Sequence, residues 1–168
     1  QRPEQHPAKV VKAVPHILTG TSYGLTESGG LGITMRGTAY LDNPLAAGRP
    51  TPPLLEIKIV DEQYEQVPVG QVGELLLKSP ANMRCYLNRP EDTAQTLRDG
   101  WLSTGDLAKI DEEGIIYIVD RKKNIIIRGG ENISCAEVQT VLHYHPDVLE
   151  VCVFPIADDR LGDTVGAA

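Results

Sequence analysis

Residues 20–30 read GTSYGLTESGG, and the fold turns on how this stretch is read. Its first five residues, Gly20-Thr21-Ser22-Tyr23-Gly24, match the G-x-S-x-G pattern that holds a nucleophilic serine on a strand-to-helix turn in α/β-hydrolases. Such a turn must feed a helix. Here Gly24, Gly29, Gly30, Gly32 and Gly37 follow in close succession, and each glycine costs about 1 kcal/mol relative to alanine in a helix interior. No helix is expected after Tyr23, which counts against Ser22 as a nucleophile. The alternative is a nucleotide loop. Tyr23 could stack on a purine, Thr26 could offer its hydroxyl to a phosphate oxygen, and Glu27 could enter the oxygen shell of Mg²⁺ beside that phosphate. Flanking glycines such as Gly24 let backbone approach a ligand closely. Taken alone, a glycine-rich turn carrying Tyr and Glu is equally a structural element, so the rest of the chain has to decide.

Upstream, residues 4–14 carry a short helical pattern stopped by Pro15, and HILTGTSY reads as a strand entering a turn. Downstream, LLEIKIV and VGELLLKSP alternate around the polar turn DEQYEQ, the pattern of a hairpin. RPEDTAQTLRDG places Pro90 at a helix start and Gly100 at its end. DLAKID, IIYIVD and NIIIRG form a second β cluster, with a turn at Glu112-Glu113-Gly114. After Gly129-Gly130 the period changes. SCAEVQTVLHYH sets Val138, Val141 and Leu142 on one helical face, with Ser134 as N-cap and Glu137 three residues on. VLEVCVFP then reads as a strand, and DTVGAA as the start of another. The expected organisation is a β-rich piece joined at DRKKN to a β-turn-α-β piece.

Composition narrows the class of partner. Sixteen basic against twenty-three acidic residues give a net charge of −7, and the basic residues form no run longer than Arg121-Lys122-Lys123. Nucleic acid is not an expected partner. Cys85, Cys135 and Cys152 are far apart, with no C-x-x-C pair, and are read as reduced thiols of a cytoplasmic protein. No apolar run approaches the ~20 residues needed to span a bilayer, and QRPEQHPAKV lacks the apolar stretch of a signal peptide. An ending without a capping signal reads as a boundary inside a longer chain.

Two more stretches carry chemistry. In Trp101-Leu102-Ser103-Thr104-Gly105-Asp106 an ionised aspartate could accept from two hydroxyls at once, the geometry of a ribose diol; it could equally be a turn aspartate. DRKKNIIIRGGEN gathers Arg121, Lys122, Lys123 and Arg128 beside a glycine pair, suited to phosphate or to a solvated strand edge.

The order of these stretches carries a resemblance. YGLTE, GELLLKSPANMRCYLNRPEDT, GWLSTGDL and VDRKKNIIIRGGENISCAEV follow the motif series of the adenylate-forming superfamily and are most similar to its acyl-CoA ligases. The resemblance implies an α+β fold: the end of a large AMP-binding domain, with a distorted β-barrel subdomain, over residues 1–120, then the beginning of a small mobile lid domain over 121–168. The hinge is implied at about 120–123. In that family a carboxylic acid attacks the α-phosphate of ATP to give acyl-adenylate, and a CoA thiol then takes the acyl group. ATP or AMP, Mg²⁺, coenzyme A and a small carboxylic acid are the implied ligands. By the same resemblance Tyr23 lies against adenine, Gly24 belongs to the nucleotide-binding residues, Thr26 lies on phosphate, Glu27 on Mg²⁺, and Asp106 on the ribose hydroxyls. Arg121 would reach ribose or phosphates, Lys123 sit at the hinge, and Gly129 and Gly130 line the pantetheine path.

The departures are specific. The family's upstream phosphate-gripping loop and its downstream Gly-Lys segment fall outside this sequence, and no G-x-x-x-x-G-K-[ST] occurs in it. HPAKVVK stands where a Gly-Gly-Ala run is usual, Cys85 where a glycine precedes the Tyr, and Ser103 where His or Arg is common. His143 and His145 are read as surface residues. Two other expectations stand beside the ligase: an adenylating enzyme that loads an amino or aryl acid onto a carrier protein, and a non-catalytic binding module.

Overall fold

The computed structural model describes residues 6–30 and 32–168. Among them are twelve strands and four α-helices, a strand-rich α+β arrangement. Backbone contacts divide the chain into two compact units, Gln1–Val119 and Asp120–Ala168.

The first unit opens with helix α1 (His6–Ala13), which ends just before Pro15; positions 4 and 5 of the expected helix lie outside the described residues. Strands β1 (Gly20–Tyr23) and β2 (Ile33–Arg36) pair antiparallel, with Ser22 opposite Thr34 and Tyr23 opposite Ile33. A short helix α2 (Thr38–Asp42), not foreseen in the sequence, leads to β3 (Arg49–Pro50), which closes this small sheet on β2.

The larger sheet begins with the expected hairpin, β4 (Glu56–Val60) on β5 (Gly73–Lys78). Its first turn is fixed by Asp61, whose carboxylate accepts from the Gln63 and Glu65 amides at 2.9 Å each. Ile57 faces Leu77 and Ile59 faces Leu75 across the pair. With Leu102, Ala108 and Ile116 they build the main core, in which Leu75 and Leu77 are fully buried. Each such leucine or isoleucine contributes about 1.5–3 kcal/mol of transfer free energy. Helix α3 (Pro90–Thr96) starts at Pro90 as expected but stops before Gly100. Asp99-Gly100 is instead a two-residue hairpin turn, with φ of 52° and 80°, between β6 (Leu97–Arg98) and β7 (Trp101–Ile110). The Asp-Gly pair adopts left-handed backbone at both positions, the geometry that a tight hairpin needs and a helix end does not. β8 (Ile116–Arg121) pairs with β7 and, through the Ala47–Ile116 and Ile116–Gly48 backbone bonds, joins the small sheet to the large one.

The second unit separates NIIIRG from the preceding strands. β9 (Ile125–Arg128) belongs to a different sheet, of order β10-β9-β12-β11. Gly129-Gly130, at φ of 60° and 90°, turn β9 into β10 (Glu131–Ser134). Helix α4 (Cys135–His143) starts where expected, the Ser134 hydroxyl accepting from the Glu137 amide at 3.2 Å. β11 (Val153–Asp158) starts later than VLEVCVFP suggested, and β12 (Gly162–Ala167) returns antiparallel along it. Ile126, Cys135 and Val153 are buried beneath Val138 and Leu142 of α4. Burial, then the neighbouring Asp120 carboxylate, push the Cys135 thiol's pKa up. At the start of this unit the buried Asp120 carboxylate accepts from the Arg121 amide at 2.7 Å and from the Ser134 hydroxyl, tying the chain entry to the N-terminus of α4.

Candidate functional site

Among the described residues no α-helix directly follows Tyr23. β1 runs into Gly24 and a single 3₁₀ turn, Thr26–Ser28, which ends at Gly29 in the left-handed region (φ 63°). The turn is held from within by Ser28, fully buried, whose hydroxyl accepts from the Leu25 amide at 3.0 Å and donates to the Leu25 carbonyl at 2.9 Å. Gly29 also lies against a neighbour: a Cβ there would stand 2.9 Å from the Ala81 carbonyl oxygen. Both constraints require glycine. Ser22 sits in mid-strand with its side chain exposed and, among the described residues, no side-chain hydrogen-bond partner. A nucleophile elbow needs a strand–turn–helix and a base, and neither accompanies Ser22.

Asp106 reaches the same place from β7. Between Leu76 and Glu74 of β5 the pairing jumps from Ser103 to Leu107, so Thr104, Gly105 and Asp106 bulge opposite Leu75. Gly105 adopts φ 71° at the centre. The Thr104 hydroxyl fastens the bulge, donating to the Leu75 carbonyl at 2.7 Å while accepting from the Asp106 amide at 3.1 Å. Bulges of this kind re-aim a side chain out of the regular alternation. Asp106 is turned into the protein, 4% exposed, and accepts from the Tyr23 hydroxyl at 2.6 Å. Two stretches 83 residues apart thus meet at one hydrogen bond. Tyr23 itself packs against the main core, which fixes its ring.

Glu27, the carboxylate of the loop, is held by a residue that the sequence did not single out for a role. Tyr86 donates its hydroxyl to Glu27 Oε1 at 2.8 Å, and the Met83 amide donates to the Glu27 carbonyl at 2.6 Å. Burial, then the Glu27 hydrogen bond and charge, raise the pKa of the Tyr86 phenol above its usual value, so it stays protonated and a donor. Tyr86 and Glu27 are 59 residues apart, and no local spacing announces the pair. Thr26, beside Glu27, is exposed.

Among the described residues no group of three or more His, Cys, Asp or Glu side chains is placed to enclose a metal. The donor set near Glu27 is a carboxylate and a hydroxyl, hard oxygen ligands that suit Mg²⁺ held chiefly through substrate phosphates, not an all-protein cage. The remaining sequence candidates belong to the second unit. Arg121 ends β8, Lys123 is exposed in the 3₁₀ turn Lys122–Asn124, and Gly129 and Gly130 form the exposed turn between β9 and β10. His143 and His145 are exposed at and beyond the end of α4.

A strand-rich α+β chain in which a glycine-flanked Tyr-Gly-x-Thr-Glu loop meets a Thr-Gly-Asp bulge is a member of the adenylate-forming superfamily. The model of the AMP-binding enzyme family matches residues 3–87, just over half of the 168 residues, and the chain belongs to that family. It is 40% identical over 148 residues to a fatty acid–[acyl-carrier-protein] ligase of Streptomyces coeruleorubidus, covering 86% of this chain and 28% of that protein. It is 40% identical over 146 residues to the medium-chain fatty-acid–CoA ligase of Escherichia coli, covering 84% and 25%. The solved o-succinylbenzoate CoA synthetase of Bacillus subtilis, in complex with its acyl-adenylate intermediate, superposes with a TM-score of 0.82 at 34% identity, over 95% of this chain and 32% of that one. The chain therefore spans about a quarter to a third of the length of these relatives.

Proposed function

We propose that this chain supplies the nucleotide loop, the ribose carboxylate and the entry to the mobile lid of an ATP-dependent carboxylic acid–CoA ligase. The observation that carries the reading is the Tyr23–Asp106 hydrogen bond, which brings an aromatic face and a buried carboxylate together beside the Thr26–Glu27 turn. Adenine lies against Tyr23 and Gly24, the ribose hydroxyls donate to Asp106, and Thr26 donates to a phosphate oxygen. Glu27 holds Mg²⁺, which when bound neutralises charge on the phosphates. Asp106 accepts readily because its carboxylate is turned into the protein, where charge-assisted bonds are worth more than in water.

Residues 1–120 form the C-terminal part of the AMP-binding large domain and 121–168 the beginning of the mobile domain, with the hinge at 120–123. The change from one sheet to another between β8 and β9, and the unit boundary between Val119 and Asp120, support this division. Arg121 reaches ribose or phosphates, Lys123 is the pivot, and the Gly129-Gly130 turn lines the pantetheine path once the lid has moved. The partners are a small carboxylic acid, ATP and CoA, and the compartment is the cytoplasm, where those co-substrates are pooled. Among the described residues no helix is long and apolar enough to cross a membrane.

A second acceptor has its own support, since one relative is a fatty acid–[acyl-carrier-protein] ligase at 40% identity. The test uses the complete protein that carries this chain. It should exchange radiolabelled pyrophosphate into ATP only when a fatty acid-like carboxylic acid is present, and then transfer the acyl group to CoA. Transfer to a carrier protein alone would select the second acceptor, and no acid-dependent exchange with any carboxylic acid would overturn the ligase.

A further inference from the structure

Glu27 is gripped twice by the segment that follows β5. Its carbonyl accepts from the Met83 amide at 2.6 Å, and its carboxylate accepts from the Tyr86 hydroxyl at 2.8 Å. Tyr86 is itself anchored. Its amide donates to Thr93 Oγ1 at 2.9 Å, and that hydroxyl donates to the Arg89 carbonyl at 2.8 Å, so the backbone at Tyr86 is fixed to the first turn of α3.

A phenol has one proton to give and can accept as well. Here the Tyr86 proton goes to Glu27 Oε1. An ionised carboxylate only accepts. The Tyr86 bond therefore fixes the rotation of the group and commits one oxygen, leaving Oε2 to face a ligand. We infer that Tyr86 is a positioning residue for the Glu27 carboxylate, setting it in the orientation that receives the divalent cation of bound nucleotide. The inference rests on the proposed role of Glu27. It adds to the site a residue 59 positions away that acts through Glu27 without touching the substrate.

Partners that orient a metal-binding carboxylate matter nearly as much as the ligand, and their loss weakens metal binding about 10–100-fold. The test is made on the complete protein without acid substrate, so that nothing turns over. Mn²⁺ is titrated into the enzyme–ATP complex and free Mn²⁺ is read by electron paramagnetic resonance. Tyr86→Phe keeps the ring and removes the hydroxyl; it should weaken Mn²⁺ by about 10-fold while metal-free ATP binds as before. Glu27→Gln should weaken it at least as much, and the double variant no further than Glu27→Gln alone, because both act through one carboxylate. Thr93→Val removes the hydroxyl that accepts from the Tyr86 amide but leaves the tyrosine in place; it should weaken Mn²⁺ by a smaller factor, which keeps the inference testable if Tyr86→Phe does not fold. If Glu27→Gln weakens Mn²⁺ and neither Tyr86→Phe nor Thr93→Val does, Tyr86 only ties two loops together and the inference is overturned while Glu27 keeps its role. If Glu27→Gln leaves Mn²⁺ unchanged, the role of Glu27 fails and the inference with it.

Discussion

Replacing Asp106 by alanine in the complete protein should separate ATP from CoA. The carboxylate is 4% exposed and already accepts from Tyr23 at 2.6 Å, so a ribose diol would meet an acceptor that is desolvated and held in place. A hydrogen bond to a charged group contributes about 1.5–3 kcal/mol. Two such bonds at the lower end give about 3 kcal/mol, or a ~150-fold rise in the dissociation constant of ATP. Tyr23→Phe is the matched control. It keeps the ring assigned to adenine, removes one of the bonds that hold Asp106, and should lose about 1 kcal/mol, roughly fivefold. CoA, whose pantetheine arm is assigned to the Gly129-Gly130 turn, should bind Asp106→Ala unchanged. Isothermal titration of each ligand in the absence of acid reads these constants directly. Equal weakening of ATP and CoA, or unchanged ATP binding in a folded Asp106→Ala, would refute the ribose assignment.

Three further outcomes follow from the same structure. Lys123→Pro should retain acyl-adenylate formation and lose most thioester formation in single-turnover measurements: proline fixes φ near −65°, within the usual range of the 3₁₀ turn Lys123 occupies, and so blocks a pivot; proportional loss of both steps in a folded variant would mean that the pivot lies elsewhere. A fluorophosphonate should leave the protein unlabelled, and labelling abolished by Ser22→Ala would restore the hydrolase. The pKa of Asp158 is lowered by the Leu161 and then the Arg160 backbone amides. Its stabilisation is thus full above the unfolded value of 3.8 and is lost as pH falls through the lower folded value. The stability gap between wild type and Asp158→Asn in urea unfolding should be constant near neutrality and shrink below about pH 4; a gap that widens there would contradict the sign.

Local chemistry made part of this structure legible. The hairpin of β4 and β5 follows from its alternation and from Asp61, and the start of α4 from Ser134 and Glu137, because in each case the deciding atoms lie within a few residues of one another. The glycines after Tyr23 excluded a helix for the same reason. What stayed hidden depends on partners distant in sequence. Asp99-Gly100 is a hairpin turn only because β6 has β7 to pair with, and the pattern of α3 alone placed the helix end there. Thr-Gly-Asp read as a turn or a ribose site; that it is a bulge depends on the Leu75 carbonyl across the sheet. NIIIRG groups with IIYIVD as a β cluster although the join at DRKKN falls between them; that β9 belongs to another sheet is a matter of pairing. Tyr86 could not be matched to Glu27 by any spacing, since the segment that carries Tyr86 follows β5 and is placed by that strand and its neighbours.

The central claim is that nucleotide occupies the meeting point of Tyr23, Glu27 and Asp106. Photolabelling of the complete protein with azido-ATP, followed by peptide mapping, tests it most directly. The account predicts that the label falls within residues 21–30, that excess ATP prevents it, and that Asp106→Ala diminishes it. Label that ATP displaces but that maps entirely outside the peptides containing Tyr23 and Asp106 would contradict it.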